Sequence, residues 1–232
     1  MKKEMIRWLG LAEDAELYIP TQDPSCILFV LDGDRFVPQI MSLWSENTKA
    51  RLPVFVSLSG ENRLAEYTPW PAEALTDHTP AFPGEGKAYA LALSQLAAAL
   101  TERFSQKELA LLGYSLGGLE AVYTSFVTDA FRRIISISGS FWFPGWDEFI
   151  CNNQPVCKDT AYLMLCGRNE GVGKTNIQAE AFPRTQLTQR MLCNYTRNFP
   201  LIADEGGHHE NMSTRIVKAI QWLGKEYPDQ ML

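Results

Sequence analysis

With 232 residues, 46% of them apolar and 16 Gly and 13 Pro spread along the chain, the sequence is long enough to bury one continuous core without disulfide or metal staples. A formal charge of −6, with no Lys/Arg cluster beyond a pair, excludes the basic footprint of a nucleic-acid binder. Met1-Lys2-Lys3 is followed by Glu4, Glu13, Asp14 and Glu16 before any long apolar run, so neither a signal peptide nor a membrane span is expected and the location is expected to be cytoplasmic.

In chain order, β-branched or aromatic runs predict strands at Glu16–Ile19, Cys26–Leu31, Val54–Ser59, Leu109–Gly113, Ile134–Ser138, Tyr162–Cys166 and Pro200–Ala203. Most lack polar alternation, as parallel strands buried on both faces do, and the segments between them are long enough for crossover helices. The clearest helix is predicted from about Lys87 to Phe104, where Tyr89, Leu93, Leu96, Leu100 and Phe104 share one face. Others are predicted at Leu116 to Phe126, about Arg184 to Asn194, and about Asn211 to Tyr227, the last with Ile216, Ile220 and Leu223 in register. Strand and helix alternate from Leu109 onward. This predicts an α/β domain spanning 1–232, a mostly parallel central sheet with helices on both faces, without a repeat or a linker. The five cysteines are odd in number and scattered, with no metal-ligand spacing, and read as reduced thiols; Cys26 and Cys166 fall in apolar runs as core residues.

Gly113-Tyr114-Ser115-Leu116-Gly117-Gly118 follows an apolar strand and opens an apolar-periodic helix, the context of the G-x-S-x-G nucleophile elbow. A sharp strand-to-helix turn strains the Ser backbone and leaves no room for side chains at the flanking glycines. Ser115 is therefore the candidate nucleophile, and the N–H of Leu116, at the positive end of the new helix, is a candidate oxyanion donor.

A serine hydroxyl needs a general base. Of three histidines, His78 lies in a polar loop, whereas His208 and His209 follow a predicted strand and precede the last helix, where the order nucleophile, acid, histidine places the base. His208 is the candidate, with His209 in reserve. The acid belongs in the loop after the preceding strand, which makes Glu170 the candidate and Asp159 the weaker alternative. A second oxyanion donor is expected from the backbone after the early strand, at Asp34, with Gly33 supplying the turn. Phe141, Trp142, Phe143 and Trp146 suit a pocket wall and a core equally. Gly167 to Thr175 ends like a phosphate-binding loop, but Arg168 stands where the first Gly is required.

These residues resemble a known group, the esterases of the α/β-hydrolase superfamily that include esterase D-like and enterobactin-esterase-like enzymes. The resemblance rests on Leu31-Asp32-Gly33, on Arg63 with Glu66-Tyr67-Thr68-Pro69-Trp70, on the Gly113 to Gly118 elbow, and on Gly206-Gly207-His208. It implies a three-layer α/β-hydrolase fold and a serine esterase with Ser115, His208 and Glu170 as nucleophile, base and acid. No long insertion offers a separate lid domain. The expected partner is a small-molecule ester, with no cofactor, metal, nucleic acid or membrane required, in a monomer or homodimer. Thioester hydrolysis, acyl transfer and a binding-only use of the fold remain the alternatives.

Overall fold

The computed structural model describes residues 1–8, 11, 14–196 and 200–225. Eight strands form one sheet in the order β1 (Lys2–Ile6), β2 (Ala15–Ile19), β4 (Val54–Leu58), β3 (Ile27–Leu31), β5 (Leu109–Tyr114), β6 (Arg133–Ile137), β7 (Ala161–Gly167) and β8 (Leu201–Asp204). The β1–β2 and β2–β4 pairings are antiparallel and the remaining five are parallel. All seven predicted strands are present. β1 is an addition: its polar sequence and largely exposed residues belong to a sheet edge with one neighbour.

Alternation along the buried strands splits the core in two. Leu28 and Val30 of β3 face α1 (Gly33–Asn47) and α7 (Met212–Leu223), where Phe36, Val37, Ile40, Trp44, Ile216 and Ile220 are buried. Ile27, Phe29 and Leu31 face the opposite layer, which contains α3 (Gly86–Arg103), α4 (Leu116–Thr124), α5 (Trp146–Asn152) and α6 (Ala181–Leu192). One short helix, α2 (Arg63–Glu66), lies before α3. The result is a three-layer arrangement in which each fully covered Leu, Ile or Phe contributes about 1.5–3 kcal/mol.

The four predicted helices correspond to α3, α4, α6 and α7; the predicted end of the last, Tyr227, lies outside the described residues. α1 lacks an individual prediction, and it carries Pro38, whose missing N–H deprives the Asp34 carbonyl of its helical donor. Cys26 and Cys166 are buried as expected and all five cysteines are free thiols. No helix among the described residues is long and apolar enough to cross a membrane.

Candidate active site

The parallel strands deliver their C-terminal ends to one edge of the sheet, and the predicted chemistry collects there. β5 ends at Tyr114, Ser115 takes φ 58° and ψ −120°, and α4 starts at Leu116. The turn explains its own sequence. A Cβ on Gly113 would lie 2.0 Å from the Gly117 carbonyl oxygen, and one on Gly118 would lie 2.8 Å from Ser136 Oγ and 3.0 Å from Gly139 Cα. The elbow is tied to the end of β6 by Ser115 N–H donating to Ile137 O and Ser140 N–H donating to Ser115 O, both at 3.0 Å.

His208 Nε2 stands 3.0 Å from Ser115 Oγ, and His208 Nδ1 stands 3.1 Å from Glu170 Oε2. Glu170 is buried, and its Oε1 accepts from Gly167 N–H at 2.7 Å. Burial alone pushes the Glu170 carboxyl up, but hydrogen bonds from His208 and the Gly167 N–H outweigh it and hold the group below its ordinary value. An ionised Glu170 only accepts, so His208 carries its proton on Nδ1 and offers the Nε2 lone pair to the serine.

No protein-family model matches the chain. Over 210 residues it is 30% identical to an uncharacterized protein, YbbA of Bacillus subtilis (strain 168), with 84% of each chain covered. The chain belongs to the YbbA family. Among solved structures, an IroE-like serine hydrolase from Shewanella oneidensis is 15% identical and superposes with a TM-score of 0.78, covering 95% of this chain and 79% of that one. Siderophore hydrolase EstB from Aspergillus nidulans is 16% identical with a TM-score of 0.68, covering 98% and 95%. These likenesses, with the strand order above, establish the α/β-hydrolase fold for this YbbA-family chain.

In the YbbA-family chain the two adjacent histidines take different places. His208 faces Ser115, whereas His209 is exposed and its Nδ1 pairs with Tyr114 Oη at 2.6 Å. Tyr114 Oη also donates to the His208 carbonyl at 3.3 Å, and its ring lies 5.1 Å from the His208 ring at an interplanar angle of 30°. Burial first of all, then the Glu170 charge, pushes the Tyr114 hydroxyl up to about 12. It is a neutral prop for the histidine loop.

Leu116 is the first residue of α4, so its N–H has no helical acceptor. At the head of α1, Arg35 N–H and Phe36 N–H both donate to Asp32 O, leaving the N–H groups of Gly33 and Asp34 without one. The Asp34 side chain itself is exposed, in a groove shared with Glu16, Ser57 and Ser59. Asp159 is not at the site: it is exposed and lines a groove with Glu108 and Arg132, at the N-terminal ends of the parallel strands. His78 is exposed, as expected. Phe141, Trp142, Phe143 and Trp146 are buried in the core, so the pocket-wall reading gives way to packing; Phe141 and Trp146 stack at 5.6 Å. The Gly167 to Thr175 loop does not open a helix directly, and it serves to present Glu170.

Several further groups stand at the site to which the sequence assigned no role there. Ser140, fully buried, brings its Oγ within 3.3 Å of Ser115 Oγ. Since Ser115 directs its own proton at His208, Ser140 is the donor of that pair. Asp32, buried beside the elbow with Arg63 Nη2 at 3.3 Å, is pushed up by burial against the pull of that arginine. Arg63 Nε and Nη2 are buried without a hydrogen-bond partner. Arg215 and Asp204 complete the set, behind Glu170.

Proposed function

We propose that this chain is a serine esterase in which Ser115, His208 and Glu170 act as nucleophile, general base and orienting acid. The observation that carries the reading is the continuous line from Glu170 Oε2 through the His208 ring to Ser115 Oγ, 3.1 and 3.0 Å, on a strained elbow at a helix N-terminus. Ser115 Oγ attacks the ester carbonyl while His208 Nε2 takes its proton, and Glu170 stabilises the imidazolium. The N–H of Leu116, with a second donor at the head of α1 at Gly33 or Asp34, stabilises the tetrahedral oxyanion. The imidazolium then protonates the leaving alcohol, and water, activated by the same histidine, releases the acid from the acyl-enzyme. Every proton in this cycle has a named carrier, so the reading requires no metal or cofactor.

The structural neighbours named as a siderophore hydrolase and a serine hydrolase support hydrolysis as the reaction class. They also make a siderophore-type ester the natural candidate to assay beside simple ones. The deciding experiment is hydrolysis of p-nitrophenyl acetate, butyrate and octanoate by wild type and Ser115→Ala, with labelling of Ser115 by a fluorophosphonate read by mass spectrometry. Turnover and labelling that vanish together in Ser115→Ala support the reading. Equal turnover by the variant removes Ser115 from the chemistry, and a labelled but ester-inactive wild type moves the reading to thioesters or acyl transfer.

A further inference from the structure

We infer that Arg215 is a positioning residue that sets the basicity of His208, an assignment that rests on the esterase reading for its catalytic consequence. Arg215 lies on α7, is 1% exposed and has all five guanidinium protons engaged. Nε and Nη2 hold Asp204 bidentately at 2.8 and 3.0 Å, and Nη2 also donates to Gly207 O at 3.0 Å. Nη1 donates to Ser138 Oγ at 2.7 Å and Glu170 Oε1 at 3.1 Å, and lies 3.5 Å from His208 O. One side chain thereby grips the end of β6, the acid loop after β7, the end of β8 and the loop carrying the base. The fit is close: a Cβ on Gly167 would lie 2.6 Å from Arg215 Nη2.

The charges balance in a way that a purely structural arginine does not require. Glu170 and Asp204 carry two negative charges and Arg215 one positive, so the cluster holds a single net negative charge while His208 is neutral. It reaches zero when His208 accepts the proton of Ser115. Without Arg215, Glu170 beside the imidazole and Asp204 behind it lose their shared cation, and the uncompensated charge favours the protonated ring before substrate arrives. Arg35 of α1, whose guanidinium lies 5.5 Å over the Tyr114 ring, is another cation on this side, but among the described residues it forms no ion pair with Glu170 or Asp204. Tyr114 and Cys166 stay neutral through the working range, Cys166 pushed up to about 12 by burial first and the Glu170 charge second. Ser115 is uncharged, and His209 is held toward its neutral form by burial and then by the charges of His208, Arg35 and Lys174. Glu210 binds Gly207 N–H at 2.8 Å and adds negative charge.

The test compares wild type, Arg215→Gln and Arg215→Lys by NMR titration of the His208 ring and by pH profiles of p-nitrophenyl butyrate hydrolysis. In Arg215→Gln the His208 midpoint is expected to rise by about one pH unit. kcat at neutral pH should fall by up to about tenfold, the most a one-unit rise can remove, with KM nearly unchanged, and activity should recover as pH is raised. Arg215→Lys keeps the charge without the fork, so its midpoint should stay near wild type while kcat falls less. An unchanged midpoint in a folded Arg215→Gln overturns the inference. If that variant does not fold, a Lys variant whose midpoint rises as the base loop detaches overturns it instead. The titration needs no substrate: a wild type inactive on esters with a shifted Gln midpoint would fault the esterase reading and leave the role of Arg215 standing.

Discussion

On the proposed mechanism, replacing Glu170 by Gln isolates what the acid contributes. The change is nearly isosteric, and the amide oxygen can stay where Oε1 accepts from Gly167 N–H and Arg215. That leaves the amide NH2 facing His208 Nδ1 at the 3.1 Å position now held by Oε2. Two donors cannot face each other, so the imidazole must present a lone pair at Nδ1 and carry its proton on Nε2, pointing at Ser115 Oγ. The base is then occupied by the proton it should collect. At an effective dielectric of about 20, a carboxylate and an imidazolium at this separation attract by about 5 kcal/mol, and Arg215 on the other oxygen offsets part of it. Loss of tautomer and charge together should lower kcat by about 10³- to 10⁴-fold, or about 4–5.5 kcal/mol of transition-state stabilisation, with KM little changed. Initial rates on p-nitrophenyl butyrate measure this, with circular dichroism melting to establish that the variant is folded. A folded Glu170→Gln enzyme within about tenfold of wild-type kcat would refute the reasoning.

Three further outcomes separate neighbouring roles. His208→Ala should lose at least about 10³-fold in kcat, whereas His209→Ala, which removes only the partner of Tyr114 Oη, should lose less than about tenfold; equal losses in both would dissolve the distinction. Gly113→Ala must push a methyl group into the Gly117 carbonyl, so the unfolding free energy from urea titration should drop by about 3 kcal/mol, and an unchanged value would mean the elbow is looser than described. Glu120 is fully buried in α4 with Oε2 unpartnered, and burial raises its carboxyl well above the ordinary value. A raised folded value means that the stability Glu120 confers is complete below the ordinary carboxylate range and is lost as pH climbs through the folded value. Glu120→Gln should therefore flatten the alkaline fall of the melting temperature, and parallel pH profiles of wild type and variant would count against a neutral Glu120.

Much of this molecule is legible because local pattern and tertiary role agree. The runs at β3, β4 and β5 are apolar on every residue because helices cover both faces, and the elbow glycines sit where a Cβ would collide. The position of Glu170 beside His208 was reachable by counting strands, since Glu170 lies in the loop after β7 and His208 in the loop after β8. Other parts resist for physical reasons. α1 has Phe36, Val37, Ile40 and Trp44 at helical spacing, but Pro38 interrupts the pattern and its Asp-Gly start reads as a turn. β1 is too polar to announce itself, because an edge strand buries little. His208 and His209 are indistinguishable in sequence; the choice is made by the long-range contact with Tyr114 and by the Arg215 contact that holds the loop from the following helix. Arg215 itself sits in an amphipathic helix among polar neighbours and looks solvated until Asp204 and Glu170 are placed beside it.

β8 carries a consequence for how the protein inactivates. It is four residues long, half-buried throughout, and among the described residues pairs with β7 alone, yet it ends at Asp204 and leads into the loop that presents His208. Ser115, by contrast, stands on a central strand locked between two others. The cheapest local opening of the sheet is therefore one that detaches His208 from a Ser115 still held in place. Turnover should fail at a lower urea concentration than the far-ultraviolet signal does, and amides of β8 should exchange with solvent well before those of β5. On the esterase reading, activity in this chain is a gauge of the sheet's margin rather than of its centre.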